Sequence, residues 1–138
     1  MTLSLPVIIV FVVFILFDVA LVIYILKKRK SGRFSEKQIV YIRSHWIRII
    51  DMAKNNPNQA ILDADKLLDH ALGVMGYTGS VGEKLKKSGK LFKNLDAVWN
   101  AHKLRNRVAH DFTELSRDQV RVALNNFKNA LRDLNLPL

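Results

Sequence analysis

Cysteine is absent from this 138-residue chain. Its absence excludes a disulfide framework, a thiolate zinc site and a cysteine nucleophile. Glycine and proline are few, six and three residues, and no Gly-rich phosphate loop is among them. The tripeptide SGK at Ser88–Lys90 lacks the preceding strand and glycine spacing that a phosphate loop needs. No two histidines stand three or four apart with an acid between them, so the spacing of a helical zinc site is missing. No alternating apolar–polar run of useful length occurs, which argues against strands. Neither lysine nor arginine precedes Lys27.

That last absence bears on the longest apolar run, PVIIVFVVFILFDVALVIYIL. Between Leu5 and Leu26 the one side chain that carries a charge at neutral pH in water is Asp18. A cleaved signal peptide wants positive charge before a shorter apolar core. Here the run spans about 33 Å as a helix, and KKRK (Lys27, Lys28, Arg29, Lys30) follows it directly. The expectation is an uncleaved transmembrane helix over 5–26 after a short tail, 1–4, with a basic juxtamembrane linker over 27–34. The positive-inside rule then puts the N-terminus outside and residues 35–138 in the cytoplasm as a single-pass protein. Lys27, Lys28, Arg29 and Lys30 are expected to meet anionic lipid headgroups. Asp18 is costly at mid-bilayer unless protonated or partnered by another span.

Beyond the run, helix signals recur. Ser35 with Gln38, Ser80 with Glu83 and Ser116 with Gln119 have the spacing of capping boxes, and Phe34–Ile39 and Leu115–Val120 that of hydrophobic staples. Asn56 before Pro57, and Asn94 before Leu95, are further caps. Apolar stripes follow: Ile39, Ile42, Trp46, Ile49, Ile50 and Ala53 on one helix, then Ala60, Ala64, Leu67, Leu68, Ala71 and Met75 on the next. A short helix over VGEKLKK, a loop at SGK, a helix from Leu95 to about Ala109 and a last one lined by Val120, Ala123, Leu124, Phe127, Ala130, Leu131 and Leu134 complete the series. The fold class expected is all-α: one membrane helix, then a small bundle of four to five helices. A core of this size is modest, and dimerisation through the faces of Trp46 or Trp99 is expected to complete it.

Setting aside Asp18, the chain carries 22 basic and 11 acidic residues, a formal +11. Such charge attracts RNA phosphates and anionic lipid alike. The run EKLKKSGKLFKN contributes Lys84, Lys86, Lys87, Lys90 and Lys93, with Lys87 and Lys90 the candidates for guiding a polyanion. Asp63, Asp65 and Asp69 are placed to approach the basic motif or to face solvent. His45 and His70 are isolated in the sequence and receive no role.

The candidate site is LRNRVAHD, Leu104–Asp111. On a helix, Trp99, His102, Asn106 and His110 share an arc of roughly 80°, with Arg105 at its edge and Arg107 pointing away. Ala97, Ala101, Leu104 and Val108 form a separate packing face. His110 falls at the helix C-terminus, where the macrodipole favours a cation, with Asp111 beside it. An arginine, a polar residue and then a histidine at the end of the penultimate long helix resembles the signature of the HEPN superfamily (higher eukaryotes and prokaryotes nucleotide-binding). Arg105, Asn106 and His110 carry the resemblance, which spans Ser35–Leu138 in helix order; the membrane anchor is outside the family's pattern.

The resemblance implies an RNA-binding domain with metal-independent endoribonuclease activity, Arg105 holding the scissile phosphate and His110 serving as acid/base. It also implies a site formed across a homodimer. Asn106, His102 and Trp99 are then candidate substrate contacts, the ring of Trp99 for stacking a base. No cofactor or metal is expected. The competing reading is a non-catalytic, membrane-tethered dimerisation or protein-interaction module, since other members of the superfamily have lost catalysis.

Overall fold

Each bundle helix starts where a side chain supplies an acceptor for its orphan N–H groups. In the computed structural model, which describes residues 4–30, 34–111 and 114–138, all three capping boxes form. Ser35, Ser80 and Ser116 accept from the backbones of Gln38, Glu83 and Gln119, whose side chains return to the cap N–H. They open α2 (Glu36–Met52), α4 (Val81–Ser88) and α6 (Arg117–Asp133). Asn56 and Asn94 cap α3 (Pro57–Val74) and α5 (Leu95–His110). Two of the helix ends use a left-handed residue: Gly76 (φ +95°) after α3 and Asn135 (φ +65°) after α6, where a β-branched side chain would be strained. A 3₁₀ turn, Gly89–Leu91, occupies the stretch expected to be a loop.

The chain divides into two units, Met1–Arg33 and Phe34–Leu138. The first holds α1 (Leu5–Lys30), whose described side chains, through Leu26, are all exposed. Leu5–Leu26 is long and apolar enough to cross a membrane. A helix apolar all round has no way to bury so exposed a surface in water. The helix continues past the expected span end to Lys30, so residues 27–30 of the expected linker are helical; nothing in KKRK breaks a helix before Ser31-Gly32. The side chains of Lys27, Lys28, Arg29 and Lys30, and residues 1–3 and 31–33 of the expected tail and linker, lie outside the described part.

In the second unit α3 is central and packs on α2, α5 and α6, while α5 also packs on α6. Among the described residues there is no strand: the protein is all-α. Ala60, Ala64 and Ala71 are fully buried on α3 and let its neighbours approach closely. Ile42, Ile61, Leu68, Leu72, Leu85, Phe127 and Leu131 fill the space between. Two expectations change on packing. Trp46 is only 5% exposed, taken into the core and so unavailable to a partner, whereas Ile50, expected inside, is 42% exposed. Successive residues advance by 100°, so Ile50 falls about 40° beyond Trp46, past the edge of the arc of Ile42, Trp46 and Ile49 that meets α3.

Candidate functional site

The apolar side of α5 is buried through Val98, Ala101, Leu104 and Val108. That packing sets the rotation of the helix and turns His102, Arg105 and Asn106 towards α3. There His102 and Arg105 meet Asp65, 1% exposed. Ile61, Asp65, Leu68 and Leu72 follow one another at helical spacing, so the carboxylate sits in the middle of an apolar stripe. Burial of such a charge demands a partner.

It has two. Asp65 Oδ1 lies 2.8 Å from Nδ1 of His102, and Oδ2 lies 3.3 Å from Nε of Arg105. The second contact is an ion pair without hydrogen-bond alignment: Asp65 Oδ2 and Arg105 Nε are both buried and neither has a hydrogen-bond partner. Charge attraction survives such misalignment, because it depends on distance more than on angle. Arg105 Nη1 donates to Oδ1 of Asn106 at 3.0 Å, and Nδ2 of Asn106 faces Nε2 of His102 at 3.3 Å. The guanidinium only donates, so it fixes the amide with its oxygen towards Arg105 and its NH₂ towards the imidazole. Nε2 is then the acceptor, and Nδ1 carries the proton that Asp65 receives. Asp65, His102, Asn106 and Arg105 form a closed ring of polar contacts.

This places His102, expected on an open arc with Trp99 and His110, in the interior: it is 8% exposed and both ring nitrogens face protein groups. Trp99 is half-buried, its ring edge-on to His102 with centroids 5.9 Å apart. Asn106 is half-buried, and Arg105 keeps 28% of its side chain open to water.

His110 is different. It is exposed on the last turn of α5, and its side chain makes no hydrogen bond or ion pair among the described residues. Asp111, the C-cap, is exposed and donates its N–H to the carbonyl of Arg107 at 2.7 Å. Phe112 and Thr113, which follow, lie outside the described residues. Arg105 and His110 are five residues apart, hence about 140° around the helix and about 7.5 Å along it. One protomer therefore presents them in different directions.

The lysines separate too. Lys84 is buried, donating to the carboxylate of Asp69 at 2.7 Å and to its carbonyl at 3.2 Å, so it ties α4 to α3. Lys87 donates to the carbonyl of Thr78 at 3.0 Å yet stays exposed, as does Lys90. Glu83, at the start of α4, has its carboxyl held below its ordinary value by hydrogen bonds from the backbone and hydroxyl of Ser80, with Lys87 and Lys86 adding to the effect.

Of the three acids placed to approach the basic motif or to face solvent, Asp65 is the one that reaches it, and sequence reasoning did not single it out. An acid at the centre of an apolar helical stripe is the signal that points to it. The fold also joins residues without a sequence relationship: Tyr41 on α2 stands between His45, ring centroids 3.9 Å apart, and His70 on α3, 5.0 Å apart. Among the described residues no cluster of three or more His, Asp or Glu side chains is placed to hold a metal ion. Comparison with protein-family models, with curated proteins and with solved structures yields no match for this chain.

Proposed function

We propose that this chain is a single-pass membrane protein whose second unit, on the cytoplasmic side, is a HEPN-like homodimer that binds RNA and cleaves it without a metal ion. The observation that carries the reading is the contrast on α5: an arginine with 28% of its side chain open to water, paired with a buried carboxylate, and an exposed imidazole at the helix end with no partner among the described residues. Arg105 holds the scissile phosphate, a task suited to a planar guanidinium whose direction is preset. His110 takes the proton of the ribose 2′-hydroxyl as its oxygen bonds to phosphorus. The bond to the 5′-oxygen breaks, that oxygen is protonated, and a cyclic phosphate remains.

The divergence of Arg105 and His110 by about 140° on one helix supports a site shared by two copies. His102 serves from within, with Asn106, as part of the polar ring that orients the guanidinium. Lys87 and Lys90 are exposed on a chain of formal +10 and guide the polyanion. The test is incubation of the full chain, in detergent and EDTA, with mixed RNA. Cleavage by the native protein and its loss in His110→Ala support the reading; no cleavage, or equal cleavage by the variant, rejects it.

One observation favours the second reading, a non-catalytic tethered module. Nε and Nη1 of Arg105 both face groups of its own protomer. On that reading the ring merely locks α5 to α3, and His110→Ala leaves every interaction intact.

A further inference from the structure

Among the described residues of the second unit, five large apolar side chains are left exposed, and four stand on α2: Val40, Tyr41, Ile47 and Ile50. With Ile42, Trp46 and Ile49 buried opposite, Val40 and Ile47 lie near the middle of the outward face, 61% and 62% exposed. A surface helix apolar on both sides calls for something on the second side as well.

The flanks say what fits. Lys37, Arg43 and Arg48 border the strip, and none makes an ion pair among the described residues. The acids there are Glu36, in the first turn, and Asp51, which is neutralised by Lys54 at 2.9 Å. Beside the strip, between α2 and α3, runs a groove of about 400 Å³ lined by Tyr41, His45, Arg48, Lys66 and His70. Its one carboxylate, Asp63, accepts from Gln59 at 2.8 Å and stands 3.8 Å from Lys66. Apolar side chains edged by unpaired cations and a tyrosine have the composition of a helix lying in a membrane interface. The covalent tether agrees: residues 31–35 alone separate α1 from α2, at most about 18 Å of extended chain.

We propose that the outward face of α2 rests on the anionic surface of the membrane that holds α1. Val40, Ile47 and Ile50 enter the boundary between headgroups and acyl chains, and Arg43, Arg48 and the groove beside Tyr41 receive lipid phosphates. A second copy fits less well, since a two-fold contact brings two identical strips, each with the same unpaired cations, face to face. The inference rests on the membrane-anchor reading of α1.

Because the chain lacks cysteine, Ser44→Cys, exposed on the strip, gives a single site for an environment-sensitive fluorophore in the full-length protein. It is compared with Asn125→Cys, exposed on α6, in phosphatidylcholine vesicles with and without phosphatidylserine. Expected is a blue shift and a several-fold loss of access to an aqueous quencher at residue 44 in the anionic vesicles, none at residue 125, and reversal by Ile47→Asp. A label at residue 44 open to the quencher, in chains that resist alkaline carbonate extraction, overturns the proposal and leaves the anchor standing. Protection that fades as protein is diluted at constant lipid also overturns it, in favour of a second copy. Release by carbonate removes the anchor reading and this inference with it.

Discussion

Asp65 and His102 are 37 residues apart in sequence and 2.8 Å apart in space. The same carboxylate also faces Arg105, so one buried acid sets the orientation of the polar side of α5. The architecture of the candidate site turns on that arrangement.

Asp65→Ala is expected to destabilise the second unit by about 2–4 kcal/mol, because it leaves an imidazole N–H and part of a guanidinium facing an apolar wall. The lower part of that range allows for the exposed portion of Arg105. Urea unfolding of the full chain in micelles measures it. A loss below about 0.5 kcal/mol, the usual range for a surface change, contradicts the buried pairing.

The polar ring also dictates a tautomer. Long-range ¹⁵N spectra of the neutral protein should show His102 protonated at Nδ1, with Nε2 as the bare nitrogen. Asn106→Leu removes the partner of Nε2 and should shift that resonance while Nδ1 stays bonded to Asp65. A signal from the opposite tautomer contradicts the amide orientation derived from Arg105.

If the site is shared, complementation reveals it. Arg105→Ala and His110→Ala chains should each lose about 10²-fold or more in cleavage. Co-expressed, they form mixed dimers in which one site keeps both groups, and activity should return in part. Failure of the mixture to recover, alongside active native protein, places both groups on one protomer.

His110 is exposed, so His110→Ala should alter stability by less than about 1 kcal/mol, the scale of one cation at a helix end. A loss of cleavage together with a fully retained unfolding midpoint separates chemistry from folding. A large stability loss would mean that His110 has a packing role.

Glu83 predicts a pH dependence of known sign. Its folded-state carboxyl titrates below the ordinary value of 4.5 because Ser80 donates to the ionised form. The cap on α4 therefore adds stability above that ordinary value, and the contribution disappears as pH falls through the lowered folded value. Comparing native and Glu83→Gln unfolding from neutral into acid should show the difference between them shrinking on acidification. A difference that grows there contradicts the assignment.

Much of the bundle was legible because helix starts are local events. Ser35, Ser80 and Ser116 each bond a residue three positions on, so both partners of every cap lie within one turn of sequence. The run Leu5–Leu26 is equally self-contained, since length and apolar composition alone make a helix able to cross a bilayer. The expected α5 ended at about Ala109 and in fact ends at His110, the kind of difference a fraying last turn produces.

Periodicity assigns a residue to a face of its helix and leaves open which neighbour that face meets. The sequence by itself determined the helices, their caps and the apolar run. Only the packing of α3 against α5 decided that Asp65 lies inside and binds His102 and Arg105. Packing likewise sent Trp46 inward, left Ile50 outside and drew Lys84 down onto Asp69. The physical reason is range: a cap is one hydrogen bond within a turn, whereas a buried charge finds its partner only after two distant helices have excluded the water between them.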